Sequence, residues 1–201
     1  MIALIDYGAG NLTSVRKALA ALGAEFVTPA TPADLRGAAA IIVPGVGHFG
    51  ATAALDAAWR DEILGAIRAG GPLLGICLGL QWLFEGSDEA PDLPGLGLLA
   101  GRCTRLAAKD GLKIPHVGWN SLDVKTSGGV LAGVAHEAQV YFTHSYAAPV
   151  TEGCAASTTY GDTFASVVQR DHVCGVQFHP EKSGDVGLRV LRNFLSLVRR
   201  A

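Results

Sequence analysis

The sequence predicts an α/β fold: a doubly wound, mostly parallel central sheet with helices on both faces and antiparallel strands in the C-terminal half. Three observations carry that expectation. Short apolar runs at 2–5, 39–43 and 72–76 have the composition of strands buried on both faces. Helical periodicity fills the segments between them, and this βαβ rhythm calls for parallel pairing. Further strand-like segments crowd the second half, where they can extend the sheet as antiparallel members.

The elements follow in order. Ile2-Ala3-Leu4-Ile5 is the first strand, and Gly8-Ala9-Gly10-Asn11 breaks it. Leu12, Val15, Leu19 and Leu22 then recur at helical spacing, with Gly23 as the stop. Ala39-Ala40-Ile41-Ile42-Val43 is the next central strand, ended by Pro44-Gly45. Leu55, Trp59, Ile63 and Ile67 line one face of a second helix, which Gly70-Gly71-Pro72 terminates. Pro72-Leu73-Leu74-Gly75-Ile76 is a third buried strand, with a helical stretch from Leu80 to Phe84 after it. Asp110-Gly111, flanked by Leu106 and Leu112, suggests a hairpin turn. Thr126-Ser127-Gly128-Gly129 is another break, and strands are expected near 139–143, 154–159, 165–169 and 172–178. Leu188, Leu191, Leu195 and Val198 form the apolar stripe of a closing helix. Arg189, Arg192, Arg199 and Arg200 lie mostly off that stripe, and the last two favour the helix C-terminus. The segment 86–95 reads as a mobile surface loop. With no repeat, linker or low-complexity stretch, residues 1–201 read as a single domain.

Composition excludes several classes. Apolar residues make up 49% and charged residues 17%, which is incompatible with disorder. Sixteen basic against eighteen acidic residues leave a formal charge of −2, and no basic stripe favours nucleic acid. The longest apolar or glycine stretches, such as Gly37 to Gly47, fall far short of the ~20 residues a membrane span needs. Asp6 interrupts the apolar start, which argues against a secretory signal. Cysteines at 77, 103, 154 and 174 show no C-x-x-C spacing and are too few for a disulfide scaffold, so a reduced, cytoplasmic setting is expected. The histidines form no dense ligand set, and neither a metal nor a cofactor is expected; His144 reads as structural. Gly8-Ala9-Gly10 fails as a dinucleotide fingerprint because Thr13 stands where its third glycine belongs.

Three segments carry chemistry. Gly75-Ile76-Cys77-Leu78-Gly79 follows a buried strand and precedes a helix, the arrangement of a nucleophile elbow with cysteine in place of serine. So sharp a turn needs small residues two before and two after the nucleophile. The thiol then sits at a helix N-terminus that favours the thiolate, and the Leu78 N–H is free to bind an oxyanion. The plain alternative is a buried cysteine beside packing glycines. Next, Gly175-Val176-Gln177-Phe178-His179-Pro180-Glu181 places His179 and Glu181 on one side of an extended chain at a strand end. His179 can take a thiol proton while Glu181 orients the imidazole. Taken alone, the H-x-E pair reads equally as a surface ion pair. Last, Pro44-Gly45-Val46-Gly47 follows another strand, where glycine lets N–H groups point into a site and supply a second oxyanion donor. By itself that tetrapeptide is a plain turn. All three lie at the C-terminal ends of expected strands, where a doubly wound sheet gathers its ligands.

Gly75-Ile76-Cys77-Leu78-Gly79-Leu80-Gln81, Pro44-Gly45-Val46-Gly47 and His179-Pro180-Glu181 resemble, in order and spacing, the signature blocks of the class I, triad-type glutamine amidotransferases. That resemblance implies the family's fold and hydrolysis of L-glutamine to L-glutamate and ammonia through a γ-glutamyl thioester. It implies Cys77 as nucleophile, His179 as base and then acid, and Glu181 as orienter, with the backbone at Gly45, Val46 and Leu78 as oxyanion hole. Gln81 and Glu89, with the backbone near Ser145 and Tyr146, would hold the α-amino and α-carboxylate groups.

Within the family, Asp6-Tyr7-Gly8-Ala9-Gly10-Asn11-Leu12, Ile114-Pro115-His116-Val117-Gly118-Trp119-Asn120, Tyr141-Phe142-Thr143-His144-Ser145-Tyr146 and Lys182-Ser183 are similar to the glutaminase subunits of imidazole glycerol phosphate synthases, enzymes of histidine biosynthesis. This implies a heterodimer with a (β/α)₈-barrel cyclase subunit. That subunit uses ammonia to turn PRFAR, a phosphoribulosyl formimino-carboxamide ribonucleotide, into imidazole glycerol phosphate and AICAR, an aminoimidazole carboxamide ribotide. Asn11, Trp119, Asn120, Tyr141 and Lys182 are the residues expected on the docking face. The resemblance also implies an oxyanion donor that stays misaligned until the cyclase binds its nucleotide. Three rival readings remain: a glutaminase feeding pyridoxal phosphate synthesis, a cysteine peptidase or chaperone with a similar elbow, and a non-catalytic scaffold. The second places histidine directly after the cysteine, where this chain has Leu78, and the third has no need of Cys77, His179 and Glu181 together.

Overall fold

A computed structural model describes residues 1–10, 12–109 and 111–198. Its strands are β1 (Ile2–Leu4), β2 (Phe26–Val27), β3 (Ala40–Val43), β4 (Leu73–Ile76), β5 (Gly86–Ser87), β6 (Arg102–Arg105), β7 (His116–Ser121), β8 (Asp123–Val124), β9 (Gln139–His144), β10 (Tyr146–Ala147), β11 (Cys154–Tyr160), β12 (Asp162–Arg170) and β13 (Val173–Val176). Its α-helices are α1 (Leu12–Ala21), α2 (Ala57–Arg68), α3 (Leu78–Trp82) and α4 (Gly184–Val198). Among the described residues, no helix is long and apolar enough to cross a membrane.

The main sheet has eight strands in the order β2-β1-β3-β4-β13-β12-β11-β8. Its first five strands run parallel, and β12, β11 and β8 add antiparallel partners. Alternation along the parallel strands sends Ile2, Leu4, Ile42, Leu74 and Val176 into one core and Ala3, Ile5, Ile41, Val43 and Leu73 into a second on the opposite face. Helices α1 and α4 cover the first core, and α2 and α3 cover the second. Burial on both faces is what the continuous apolar runs anticipate.

The helices follow their sequence signals with small shifts. Asp56 caps α2 by accepting from the N–H groups of Ala58 and Trp59. In α4 the most buried residues are Gly187, Val190, Leu191 and Phe194, so the buried face is turned slightly from the expected leucine stripe; Leu188, Leu195 and Val198 flank it. The reason is Gly187, where an added Cβ would meet the Pro180 carbonyl oxygen at 2.0 Å, so the helix backbone itself closes on the preceding turn. Arg199 and Arg200 lie outside the described residues.

Two expectations need correction. Among the described residues, no hairpin pairing joins the chain on either side of Asp110-Gly111: β6 pairs with β10 and β5, whereas β7 pairs with β9. Asp110 itself lies outside the described residues. The segment 86–95 is also tied down rather than loose. Asp88 N–H donates to Cys103 O at 2.9 Å, Gly95 N–H to Glu85 O at 2.9 Å, and Arg102 donates to the Ser87 and Pro91 carbonyls. The bonds to Cys103 and Arg102 come from β6, which local sequence does not reveal as a partner.

Candidate active site

The parallel strands all point their C-terminal ends at one edge, and the chemistry gathers there. Beyond β4 the chain turns sharply into α3 at Cys77, whose φ of 53° and ψ of −106° are strained for a residue with a side chain. Only glycine fits on either side. A Cβ on Gly75 would sit 2.5 Å from Gly79 O, and one on Gly79 would sit 1.8 Å from Val43 O. The elbow is therefore a steric device that presents Cys77 beyond the sheet edge.

Beyond β13 the chain does not stay extended through the pair: Pro180–Lys182 form a short 3-10 turn, and this turn, rather than the expected strand alternation, brings Glu181 back to His179. His179 Nδ1 lies 2.8 Å from Glu181 Oε1, and both side chains are only 2% exposed. The histidine backbone is fixed by its N–H to Tyr141 O at 2.9 Å. Ser183 Oγ locks the turn, donating to His179 O at 2.7 Å and accepting from Tyr141 N–H at 2.9 Å. Burial alone would lower the imidazole pKa, but hydrogen bonding and charge from Cys77 and Glu181 outweigh it and push it up to about 9. Nε2 is buried without a hydrogen-bond partner among the described residues, which leaves it available to a thiol proton. Among the other cysteines, burial raises the Cys103, Cys154 and Cys174 thiols, Cys174 up to about 12.

Cys77 opens on a cavity of about 270 Å³ also lined by Gly47, Leu78, Gln81, Glu89, His144, Ser145 and Tyr146. The four expected substrate-binding residues thus face the same space as the nucleophile. Glu89 is held there by the Phe49 N–H, which donates to Oε2 at 2.7 Å. Gln81 Nε2 donates to Tyr146 O at 2.7 Å and to Gln177 Oε1 at 3.1 Å. Both amide protons are used, so Gln81 offers a ligand only its Oε1 acceptor. His144, expected to be structural but within reach of a substrate, lines the cavity as well.

Sequence reasoning overlooked Gln177. Its side chain is fully buried, and Nε2 donates to Cys77 Sγ at 3.5 Å. The signal was present, since Gln177 stands two before His179 and so on the same side of an extended strand.

The expected oxyanion donors are placed but engaged. Leu78 N–H donates to Gly45 O at 3.3 Å, and Val46 N–H donates to Ala9 O at 3.0 Å. In this arrangement Gly45 turns its carbonyl, not an N–H, toward the nucleophile's helix. Close contact makes glycine obligatory at this position: a Cβ on Gly45 would lie 2.1 Å from Tyr7 Oη and 2.8 Å from Leu78 Cβ. Gly47, with φ of 96°, supplies a second hinge point in the loop.

Of the residues expected on the docking face, three cluster. The Trp119 and Tyr141 rings meet edge to face at 6.1 Å, and Lys182 Nζ lies 5.8 Å from the Tyr141 ring centre. Trp119 is 57% exposed and Val117, on the same face of β7, is 56% exposed. Asn120 points the opposite way, its Nδ2 donating to Thr159 O at 3.2 Å. Asn11 lies outside the described residues.

Comparisons with known proteins give the family. The model of the family described as glutamine amidotransferase class-I matches residues 3–197. The imidazole glycerol phosphate synthase subunit HisH of Methanothermobacter thermautotrophicus is 44% identical over 200 residues, spanning 99% of this chain and 100% of the relative. The HisH subunit of Gloeobacter violaceus is 48% identical over 200 residues, spanning 96% and 88%. A crystal structure of glutamine amidotransferase aligns with a TM-score of 0.76 at 24% identity, covering 99% of this chain and 100% of that one. PurLQS from Thermotoga maritima aligns with a TM-score of 0.73 at 18% identity, covering 97% of each chain. The two structural likenesses establish the fold. With the family model and the full-length relatives, they place the chain: it belongs to the class-I glutamine amidotransferases and, among them, to the HisH subunits of imidazole glycerol phosphate synthase.

Proposed function

We propose that the chain hydrolyses L-glutamine to L-glutamate and ammonia through a γ-glutamyl thioester on Cys77, and hands the ammonia to a cyclase subunit. The observation that carries the mechanism is a single cavity shared by the strained Cys77 elbow, Gln81, Glu89, Ser145 and Tyr146, beside the buried His179–Glu181 pair. His179 takes the Cys77 thiol proton at Nε2, while Glu181 on Nδ1 holds the ring in the required tautomer. The sulfur attacks the side-chain carbonyl carbon, and the C–N bond breaks as His179 returns the proton to the leaving ammonia. Water, deprotonated by His179, then cleaves the thioester and restores the thiol. Glu89 and Gln81 Oε1, both acceptors, suit the α-ammonium group, and the backbone at Ser145 and Tyr146 suits the α-carboxylate.

The tetrahedral intermediate needs donors at its oxygen, and Leu78 and Val46 are engaged at rest. Turning the Gly45–Val46 peptide releases both N–H groups, and glycines at 45 and 47 permit that turn. We assign the trigger to the partner, a (β/α)₈-barrel cyclase docked on the face around Trp119, Tyr141 and Lys182. Its reaction converts PRFAR with ammonia into imidazole glycerol phosphate and AICAR in L-histidine biosynthesis, a cytoplasmic setting for one amidotransferase unit. Glutamate release measured with and without the cyclase and its nucleotide tests the whole scheme. Full activity of the isolated chain would refute the partner trigger, and glutaminase activity in Cys77→Ala would refute the nucleophile.

A further inference from the structure

A chain of hydrogen bonds crosses the wall of the cavity, and its direction is fixed from both ends. Tyr146 O can only accept, so the 2.9 Å contact with His144 Nδ1 requires a proton on that nitrogen. A neutral His144 then has an acceptor at Nε2. That atom lies 3.1 Å from His116 Nδ1, which must carry the His116 proton. His116 Nε2 is left as an acceptor, facing the donor Asn120 Nδ2 at 3.4 Å. The orientation of Asn120 is set independently, because Ser121 N–H donates to its Oδ1 at 2.8 Å and its Nδ2 donates to Thr159 O at 3.2 Å.

The ring planes are fixed too. His116 is stacked between Tyr160 at 3.9 Å and Phe142 at 4.8 Å, and His144 meets Phe164 edge to face at 4.9 Å. Charge on either ring would set N–H against N–H. Burial keeps both neutral, His116 pushed down to about 4 and His144 to about 3, with His116 and His179 further opposing a charge on His144. The chain ends on the carbonyl that also receives Gln81 Nε2 at 2.7 Å.

We infer that His116 and His144 are positioning residues for glutamine: through this one-directional chain they hold the Tyr146 carbonyl, and with it the Gln81 carboxamide, in the geometry that receives the substrate's α-groups. The inference rests on the glutaminase reading and deepens it. Two variants of the full chain, assayed with its cyclase, separate positioning from packing. His116→Phe preserves the aromatic stack and removes the donor to His144. His116→Gln disturbs the stack but keeps one acceptor and one donor. The expected result is a KM for glutamine raised about tenfold in His116→Phe, the order expected for one buried hydrogen bond, with kcat within about threefold and melting at neutral pH close to the parent. His116→Gln should stay nearer the parent. The reverse order, or an unchanged KM in His116→Phe, would overturn the proposal. Nitrogen-15 spectra of the imidazoles provide a check independent of activity. Both rings should be Nδ1–H tautomers, and a proton on His144 Nε2 at neutral pH would refute the chain. If the wild-type complex released no glutamate, the glutaminase reading would fail, and the spectra alone would decide the tautomers.

Discussion

The Leu78 amide donates its proton to the carbonyl oxygen of Gly45 across 3.3 Å. The residue that follows Cys77 is thus bonded to the loop expected to assist it. Under the proposed mechanism the oxyanion hole is then closed at rest, with the Leu78 and Val46 N–H groups both engaged.

That closure sets the size of the activation. Two hydrogen bonds hold the loop, Leu78 to Gly45 and Val46 to Ala9. At about 0.5–1.5 kcal/mol each, they disfavour the open loop by roughly fivefold to 150-fold. The isolated chain should release glutamate at least about fivefold more slowly than the complex with nucleotide. A steady-state glutamate assay checks this, and equal rates would contradict it.

The triad should separate by role. Cys77→Ala should lose glutamine-dependent synthesis while the complex still makes product from ammonium salts. His179→Asn should fall by about 10²–10⁴ in kcat, the range of a lost general base. Glu181→Gln should lose less, since the ring remains pinned through its backbone and the turn locked by Ser183.

The elbow glycines should be intolerant of one methyl group. Gly79→Ala would drive Cβ to 1.8 Å from Val43 O, a backbone atom in the central sheet. A loss of several kcal/mol in urea unfolding is expected, on the scale of ~3–5 kcal/mol reserved for severe steric or core defects. Gly47→Ala, with no atom within 4 Å of its Cβ, should retain most of the fold and chiefly alter loop behaviour, because its φ of 96° disfavours a side chain.

Stability should fall on the acid side through the buried histidines. His116 and His144 stay neutral in the fold, down to about 4 and 3, but bind protons near pH 6.5 once unfolded. Unfolding therefore takes up protons below pH 6.5, and stability drops from there toward pH 4. The raised His179 works oppositely: its contribution is complete below pH 6.5 and is lost as pH rises through about 9. Melting temperatures should decline between pH 6.5 and 4, and His116→Phe should flatten the slope. A parent curve flat across that window would show that the rings titrate normally.

The local code made much of this protein legible. Continuous apolar runs marked β1, β3 and β4, because strands buried on both faces leave no room for polar alternation. The elbow was equally readable, since its steric demand falls on neighbours two residues away in sequence. His179 and Glu181 were legible as a pair, but a 3-10 turn at Pro180–Lys182 joins them instead of the expected extended strand end, and Gln177 was legible only from its place two before His179.

What only the tertiary structure decided depends on segments far apart in the chain. Whether 86–95 is loose or tied turned on bonds from β6, and the fate of the chain around 106–112 turned on partners in two different sheets. The role of His144 emerged only when β7 and β9 laid it against His116. Sequence placed Gly45 beside the chemistry, yet its peptide direction is set by Ala9, in the loop after β1, and by Leu78, at the start of α3. Short-range sterics and periodicity are written in consecutive residues, whereas the direction of a peptide and the path of a proton are fixed by whichever distant groups the fold brings within 3 Å.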